Sequence, residues 1–179
     1  MQRLAYWKKQ FVILCAVGLI WPFMASEGQA ARPVRSAGKV GLGFGAGTVA
    51  NGLSFKYYFG AAGAIQMNVG AWGGGGSKGR FTRFKGGAVS VDYLYEMPVI
   101  FRSPKVFVLA WNVGLGLGAG SSGFDDDDAG LAAAFVAGLE FLFVKVPIDL
   151  VIEFRPAILV VPEVGFDLVD FTGHVRYYF

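Results

Sequence analysis

From position 39 to the carboxy terminus, apolar side chains alternate with small or polar ones at a period of two. Such alternation marks a strand whose two faces meet different surroundings. Over 39–47, Val40, Leu42, Phe44 and Ala46 share one face, and Gly41, Gly43, Gly45 and Gly47 the other. Over 53–59, Leu53, Phe55, Tyr57 and Phe59 stand against Ser54, Lys56 and Tyr58. Over 64–72, Ile65, Met67, Val69 and Ala71 stand against Gln66, Asn68 and Gly70. A fourth strand, 88–96 with an extension toward Phe101, sets Val89, Val91, Tyr93 and Tyr95 against Ser90, Asp92, Leu94 and Glu96. A fifth, 106–118, sets Phe107, Leu109, Trp111, Val113, Leu115 and Leu117 against Ala110, Asn112 and three glycines. A sixth, 131–143, sets Leu131, Phe135, Leu139, Phe141 and Phe143 against Ala134, Gly138 and Glu140. A seventh, 148–158, sets Ile148, Leu150, Ile152 and Phe154 against Asp149, Val151, Glu153 and Arg155. The eighth, about 166–179, ends in FTGHVRYYF, with Phe171, Val175, Tyr177 and Phe179 on one face and Thr172, His174, Arg176 and Tyr178 on the other.

Turn signals separate these runs. Ala50, Asn51 and Gly52 read as a turn, as do 60–63, 102–105, 144–147 and the segment around 161–165. Connections after strands two, four and six are about four residues long, and those after three and five about ten to fifteen. Short turns at one end and longer loops at the other are the arrangement of a membrane-spanning barrel. An even strand count puts both termini at the short-turn end. Pro156 lies inside the seventh strand, where it removes a ladder donor, so a bulge or a strand end is expected there.

Composition points to a membrane. Hydrophobic residues make up 54% of the 179 and charged residues 16%, against about 25% charged in soluble domains. Yet the longest apolar block, 131–154, is broken by Glu140, Lys145, Pro147, Asp149 and Glu153. A spanning helix needs about 20 apolar residues without such breaks. Glycine at 27 residues also disfavours helix. Only helices and closed barrels satisfy every backbone group in lipid, so a barrel remains. Residues 1–30 read as a cleaved signal peptide: Arg3, Lys8 and Lys9 precede the apolar core 11–23, and Gly28-Gln29-Ala30 offers a cleavage site after Ala30. Cys15 follows Leu14, which argues against a lipoprotein site, and the mature chain then has no cysteine and no disulfide. Without the signal, 13 basic residues face 12 acidic ones, which gives no electrostatic case for nucleic acid. The expected organisation is a signal over 1–30, a short polar periplasmic lead-in over 31–38, and the barrel over 39–179.

The lumen of an eight-stranded barrel holds only its own side chains or one small ligand. It has no room for the aromatic face, so that face is expected outside, in lipid. Tyr57, Tyr58, Phe59, Tyr93, Tyr95, Tyr177 and Phe179 are candidates for interface girdles. The inward face then collects Lys56, Asp92, Glu96, Glu140, Asp149, Glu153, Arg155 and Arg176, with His174. Isolated charges there are costly, so a structural ion-pair network is expected, with Arg176 pairing with Glu153 or a neighbour. The rival use of the same charges is a narrow gated channel, for which the small inward residues of strands one and five would leave water-filled space. In the loops, Asp125, Asp126, Asp127 and Asp128 supply carboxylates that Ca²⁺ prefers, but they lack the spaced ligands and glycine of a calcium loop, so a solvated acidic run is the favoured reading. Lys78, Arg80, Arg83 and Lys85, interleaved with Phe81 and Phe84, are candidates for lipopolysaccharide phosphates or another anionic partner. No cofactor is expected, and the lack of His and Cys ligands argues against a metal site.

The mature chain resembles the small eight-stranded outer-membrane barrels of the OmpA/OmpX-like superfamily. The resemblance rests on the signal peptide, GLGFGAG in strand one, the strand parity and the terminal RYYF. It implies a monomeric, non-enzymatic protein of the outer membrane, with both termini periplasmic and a structural or surface-interaction role through its loops. Its implied partners are outer-membrane lipid, lipopolysaccharide and, during insertion, the assembly machinery. That machinery would read Phe171, Val175, Tyr177 and Phe179. No peptidoglycan-binding domain follows the barrel, so the anchoring role of longer relatives is not expected. Barrel lipid-A deacylases pair a membrane-facing His with a Ser two residues on; here the stretch is His174-Val175-Arg176, with His174 inward. A lipid-modifying enzyme is therefore the least favoured alternative. Deleting Phe179 is expected to impair assembly, measured as loss of the folded, heat-modifiable band in outer-membrane fractions.

Overall fold

The computed structural model describes residues 34–47, 49–72, 86–121, 129–161 and 164–179. Eleven strands form one antiparallel sheet: β1 (Val40–Ala46), β2 (Asn51–Tyr58), β3 (Gly63–Ala71), β4 (Gly87–Glu96), β5 (Phe101–Arg102), β6 (Phe107–Ser121), β7 (Ala129–Phe143), β8 (Ile148–Phe154), β9 (Ala157–Val161), β10 (Gly165–Asp167) and β11 (Phe171–Tyr178). β1 to β4 pair in sequence, β4 and β5 both pair with β6, β6 with β7, β7 with both β8 and β9, β9 with β10 and β8 with β11, and β11 pairs back on β1 from Gly41↔Tyr178 to Ala46↔Gly173. The sheet is closed. Eight walls surround the lumen, because β8 with β9 and β10 with β11 each make one interrupted wall and β5 extends β4.

Burial alternates with the pleat. β4 reads exposed and buried in strict turn over Gly87–Glu96. The exposed face carries Phe44, Val91, Tyr93, Leu115, Leu117, Ile152 and Phe171, each 44–69% accessible. The buried face carries Lys56, Asp92, Glu140, Asp149 and Arg176, each 0% accessible. This is a soluble protein turned inside out.

The seventh strand departs from expectation in a specific way. The strand assignment stops at Phe154 and resumes at Ala157, but the register against β7 is unchanged, since Ala137↔Phe154 and Ala134↔Ala157 lie on one ladder. Phe135 N–H donates to the Pro156 carbonyl at 3.0 Å, and the reciprocal bond is missing because proline has no N–H. The bulge lies instead between Leu131 and Ala132, facing the end of β9. The eighth strand is likewise broken, at 168–170, level with Pro156: Arg155 N–H there donates to the Asp170 carbonyl at 2.8 Å.

Smaller differences have local causes. Asn51 and Gly52 begin β2 instead of forming its turn, and Asn51 Oδ1 accepts the Gly47 N–H at 2.5 Å to close the 47–50 connection. β6 and β7 each run 15 residues, so the connection between them shrinks to 122–128. The fourth strand does extend past Glu96, broken at 97–100 around Pro98 and resumed as β5. The 31–38 lead-in is no polar tether where it is described: Val34 is 7% accessible and packs among Tyr58, Leu94, Leu142 and Tyr178 inside the barrel. The segment 1–30, read above as a signal peptide, and the loop groups Lys78, Arg80, Arg83, Lys85 and Asp125, Asp126, Asp127 and Asp128 lie outside the described residues.

The glycines of β1 are the complement of β11. A Cβ on Gly41 would stand 2.6 Å from the Tyr178 ring; one on Gly45 would strike His174, and one on Gly47 would strike Thr172. In β6, the same atom on Gly116 would strike Asp92, on Gly118 Val49, and on Gly120 Trp72. The space expected from these small residues is therefore filled by side chains from neighbouring strands and from the connections at 47–50 and after β3. Gly41→Val should overpack this seam and cost about 1–3 kcal/mol. Gly60→Ala, with nothing within 4 Å, should be neutral. Denaturant midpoints of the refolded protein in detergent or vesicles measure both.

Candidate functional site

The alternation of β2, β3, β4, β6, β7, β8 and β11 sends all the sequence-predicted lumen residues inward, where they form two connected groups. In the first, Lys56 from β2 lies between two carboxylates, 2.7 Å from Glu96 and hydrogen-bonded to Glu140. Arg35, from the segment before β1, reaches the same pair at 2.6 Å and 2.7 Å. Its guanidinium also donates to the carbonyls of Met97 at 2.7 Å and Trp111 at 3.0 Å. Asn112 Nδ2 donates to Glu140 at 2.6 Å. Two cations thus serve two buried carboxylates.

The second group spans the lumen from β4 to β8 and β11. Arg155 makes a two-pronged bond to Asp92, at 2.5 Å and 2.8 Å, the planar geometry that favours arginine over lysine. It also lies 3.7 Å from Glu153. Of the partners the sequence left open for Arg176, Glu153 or a neighbour, it takes the neighbour: Asp149, its direct cross-strand partner, at 2.9 Å. Tyr178 donates its hydroxyl to the same Asp149 at 2.7 Å. Gln66 joins the halves: its amide nitrogen donates to Glu153 at 3.0 Å and to Asp92 at 3.3 Å, while its oxygen accepts from Arg176.

His174 sits 3.1 Å from Glu153 through Nε2 and 3.0 Å from Ser54 Oγ through Nδ1. Sequence reading left His174 without a serine. The serine comes from β2, across β1, because Gly43 and Gly45 leave no side chain between them. The order Ser–His–Glu is that of a nucleophilic triad. Both Ser54 and His174 are nevertheless buried, at 0% and 2% accessible, with no open face on which a substrate could rest. Among the described residues, no three of His, Cys, Asp and Glu are grouped so as to hold a metal ion.

Apolar clusters occupy the lumen at both ends. Val49, Ala50 and Trp72, from the connections opposite the termini, pack on Ala88, Ala132, Ala157 and Leu159. Below them, the gap lined by Gly47, Asn68, Ser90, Arg155 and Thr172 has no room for a water molecule. Toward the termini, Tyr58 and Tyr178 meet across glycine-bearing β1 with ring centroids 5.7 Å apart. Tyr58 is thus a lumen residue and leaves the expected girdle, since its even position in β2 points inward. Four of the remaining candidates pair on the outside near the short turns, Phe59 with Tyr93 at 5.9 Å and Tyr177 with Phe179 at 5.0 Å.

Charges sealed inside, an apolar wall outside and closure by β1 and β11 decide the architecture. The fold is a closed, eight-walled antiparallel β-barrel with an apolar exterior. No family model matches the chain, and no curated protein matches it in sequence. Among solved structures, the barrel is similar to the N-terminal β-barrel domain of Pseudomonas aeruginosa OprF, at 14% identity and TM-score 0.47, over 80% of this chain and 98% of that one. It is also similar to Ail, the attachment invasion locus protein of Yersinia pestis, at 18% identity and TM-score 0.41, over 80% of this chain and 99% of that one. The fold assignment stands on the strand pairing itself.

Sequence reasoning missed Arg35, Gln66, Asn112 and Ser54 as members of the network. Gln66, Asn112 and Ser54 were legible as inward by parity, but not as bridges. Arg35 precedes the first strand, where period-two reading says nothing. Removing one partner of a buried pair leaves an uncompensated charge and costs about 3–5 kcal/mol. Arg35→Ala should cost this much by leaving Lys56 as the one cation between Glu96 and Glu140. Arg155→Met with Asp92→Leu, which removes a pair together, should cost far less than Arg155→Met alone. Equilibrium unfolding in vesicles compares them.

Proposed function

We propose that this protein is an integral barrel of the bacterial outer membrane, closed to conduction and without enzymatic activity, acting through the segments at the end opposite its termini. The observation that carries the reading is the pairing of a sealed, ion-paired lumen with an apolar exterior. A barrel exposing Leu115, Leu117, Ile152 and Phe171 to water would present an apolar surface far beyond what soluble monomers tolerate. Facing lipid, the same surface is what holds the barrel in place. Against conduction stand the paired lumen charges and the apolar plugs at both ends. Against hydrolysis stands the burial of Ser54 and His174.

What remains for partners is the outer rim. In this reading the signal peptide over 1–30 is removed and both termini face the periplasm. The connections at 73–85 and 122–128 then face the cell exterior, where Lys78, Arg80, Arg83 and Lys85 meet lipopolysaccharide phosphates and the Asp125–Asp128 run meets solvent. The terminal aromatics Phe171, Val175, Tyr177 and Phe179 serve recognition by the assembly machinery, with valine as their aliphatic member.

Two measurements test the reading. Leu115→Arg, at mid-strand on the outer wall, should cost about 2–4 kcal/mol if that wall faces lipid. A water-facing wall would keep the change within about 0.5 kcal/mol. The refolded wild type in planar bilayers should show no steady single-channel steps; such steps would overturn the closed lumen.

A further inference from the structure

We propose that the rim at the terminal end, together with a groove on the outer wall above it, binds one anionic phospholipid. The inference rests on the outer-membrane reading above and goes beyond it by naming a lipid, a leaflet and the residues that select it.

The first observation is uncompensated charge. Arg102, Lys105 and Lys145 are exposed at this rim. Among the described residues none of them has a carboxylate partner, whereas Arg35, Lys56, Arg155 and Arg176 all do. The turns that carry the three are neighbours: Val144 N–H donates to the Val106 carbonyl at 3.0 Å, and Ser103 N–H to the Phe107 carbonyl at 2.9 Å. Three cations are therefore gathered on adjacent turns.

The second observation is a groove of about 350 Å³ on the outer wall just above, lined by Ile100, Trp111, Ala137, Ile152, Phe154 and Phe171. It exists because Ala137, on the outward face of β7 between Phe135 and Leu139, offers only a methyl group where its neighbours are large. The groove and the rim are joined. Ile100 N–H donates to the Leu109 carbonyl at 2.9 Å, and two residues on, Arg102 pairs with Val108. An acyl chain lying over Ala137 thus places its headgroup at the level of Arg102, Lys105 and Lys145.

Charge complementarity selects the headgroup. Basic side chains next to an apolar wall favour an anionic lipid over a zwitterionic one. Position selects the source. The rim is at the end of the termini, which in the reading above faces the phospholipid leaflet, away from lipopolysaccharide.

The test uses the mature barrel refolded into vesicles of equal phosphatidylglycerol and phosphatidylcholine, with retained lipid read by native mass spectrometry. The wild type should retain phosphatidylglycerol several-fold over phosphatidylcholine. Arg102→Gln with Lys105→Gln and Lys145→Gln should abolish that preference, while Lys105→Arg with Lys145→Arg should keep it. Ala137→Phe should reduce retention of both lipids. Equal retention by the wild type, or a preference that survives the triple variant, overturns the proposal. So does stronger retention of lipid A through the same three residues in a lipid A arm. Heat-modifiable mobility is recorded for each sample. A wild type that keeps the shift but shows no preference sinks the lipid site alone; one without the shift sinks the barrel reading beneath it.

Discussion

Charge buried in a narrow, closed lumen is the constraint on which this barrel depends. An eight-stranded sheet closes around a space that side chains just fill. Here that space contains Arg35, Lys56, Arg155 and Arg176 together with Asp92, Glu96, Glu140, Asp149 and Glu153, almost wholly removed from solvent. Each ion would be several kcal/mol too costly alone, so each must find its partner from another strand. Arg176 and Asp149 face each other on adjacent walls, but other partners lie on non-neighbouring ones, β2 with β7 for Lys56 and Glu140, and β4 with the wall of β8 and β9 for Asp92 and Arg155. The network therefore acts as a set of cross-braces that only one closed register satisfies. A one-residue slip of any wall would send its charges into the lipid face.

Glycine makes the bracing possible. Gly41, Gly43 and Gly45, with Gly47 just past its end, strip β1 of inward side chains, so β2 and β11 touch across it, Ser54 with His174 and Tyr58 with Tyr178. The seam where the chain closes on itself is thus the place where inward side chains are largest on one strand and absent on the next. The same division holds between β4 and β6, where Gly116 admits Asp92 with its bound Arg155. What looks in composition like empty space is the socket for a neighbour.

Two features of the fold lay outside local pattern, and at a third the local pattern overruled residue type. Val34 and Arg35 enter the barrel before the first strand, and nothing periodic surrounds them to say so. Pro156 interrupts one hydrogen bond without shifting the register, because its carbonyl still accepts from Phe135; the bulge falls at Leu131 and Ala132 instead. Tyr58 is an aromatic near a strand end, but parity outweighs residue type and turns it into the lumen. In the first two cases the deciding contact comes from a residue distant in sequence.

The sequence by itself determined which side of each strand faces in, how many walls there are, and at which end the chain begins and finishes. Side-chain direction in a strand has a period of two, so these properties are written locally. It also showed which ionisable groups share the interior. Only the tertiary structure decided who pairs with whom: Arg176 with Asp149, Arg155 with Asp92, Arg35 with Glu96 and Glu140, and Ser54 with His174. Those choices depend on register and on reach across a closed circle of strands, and neither exists until the last strand has paired with the first.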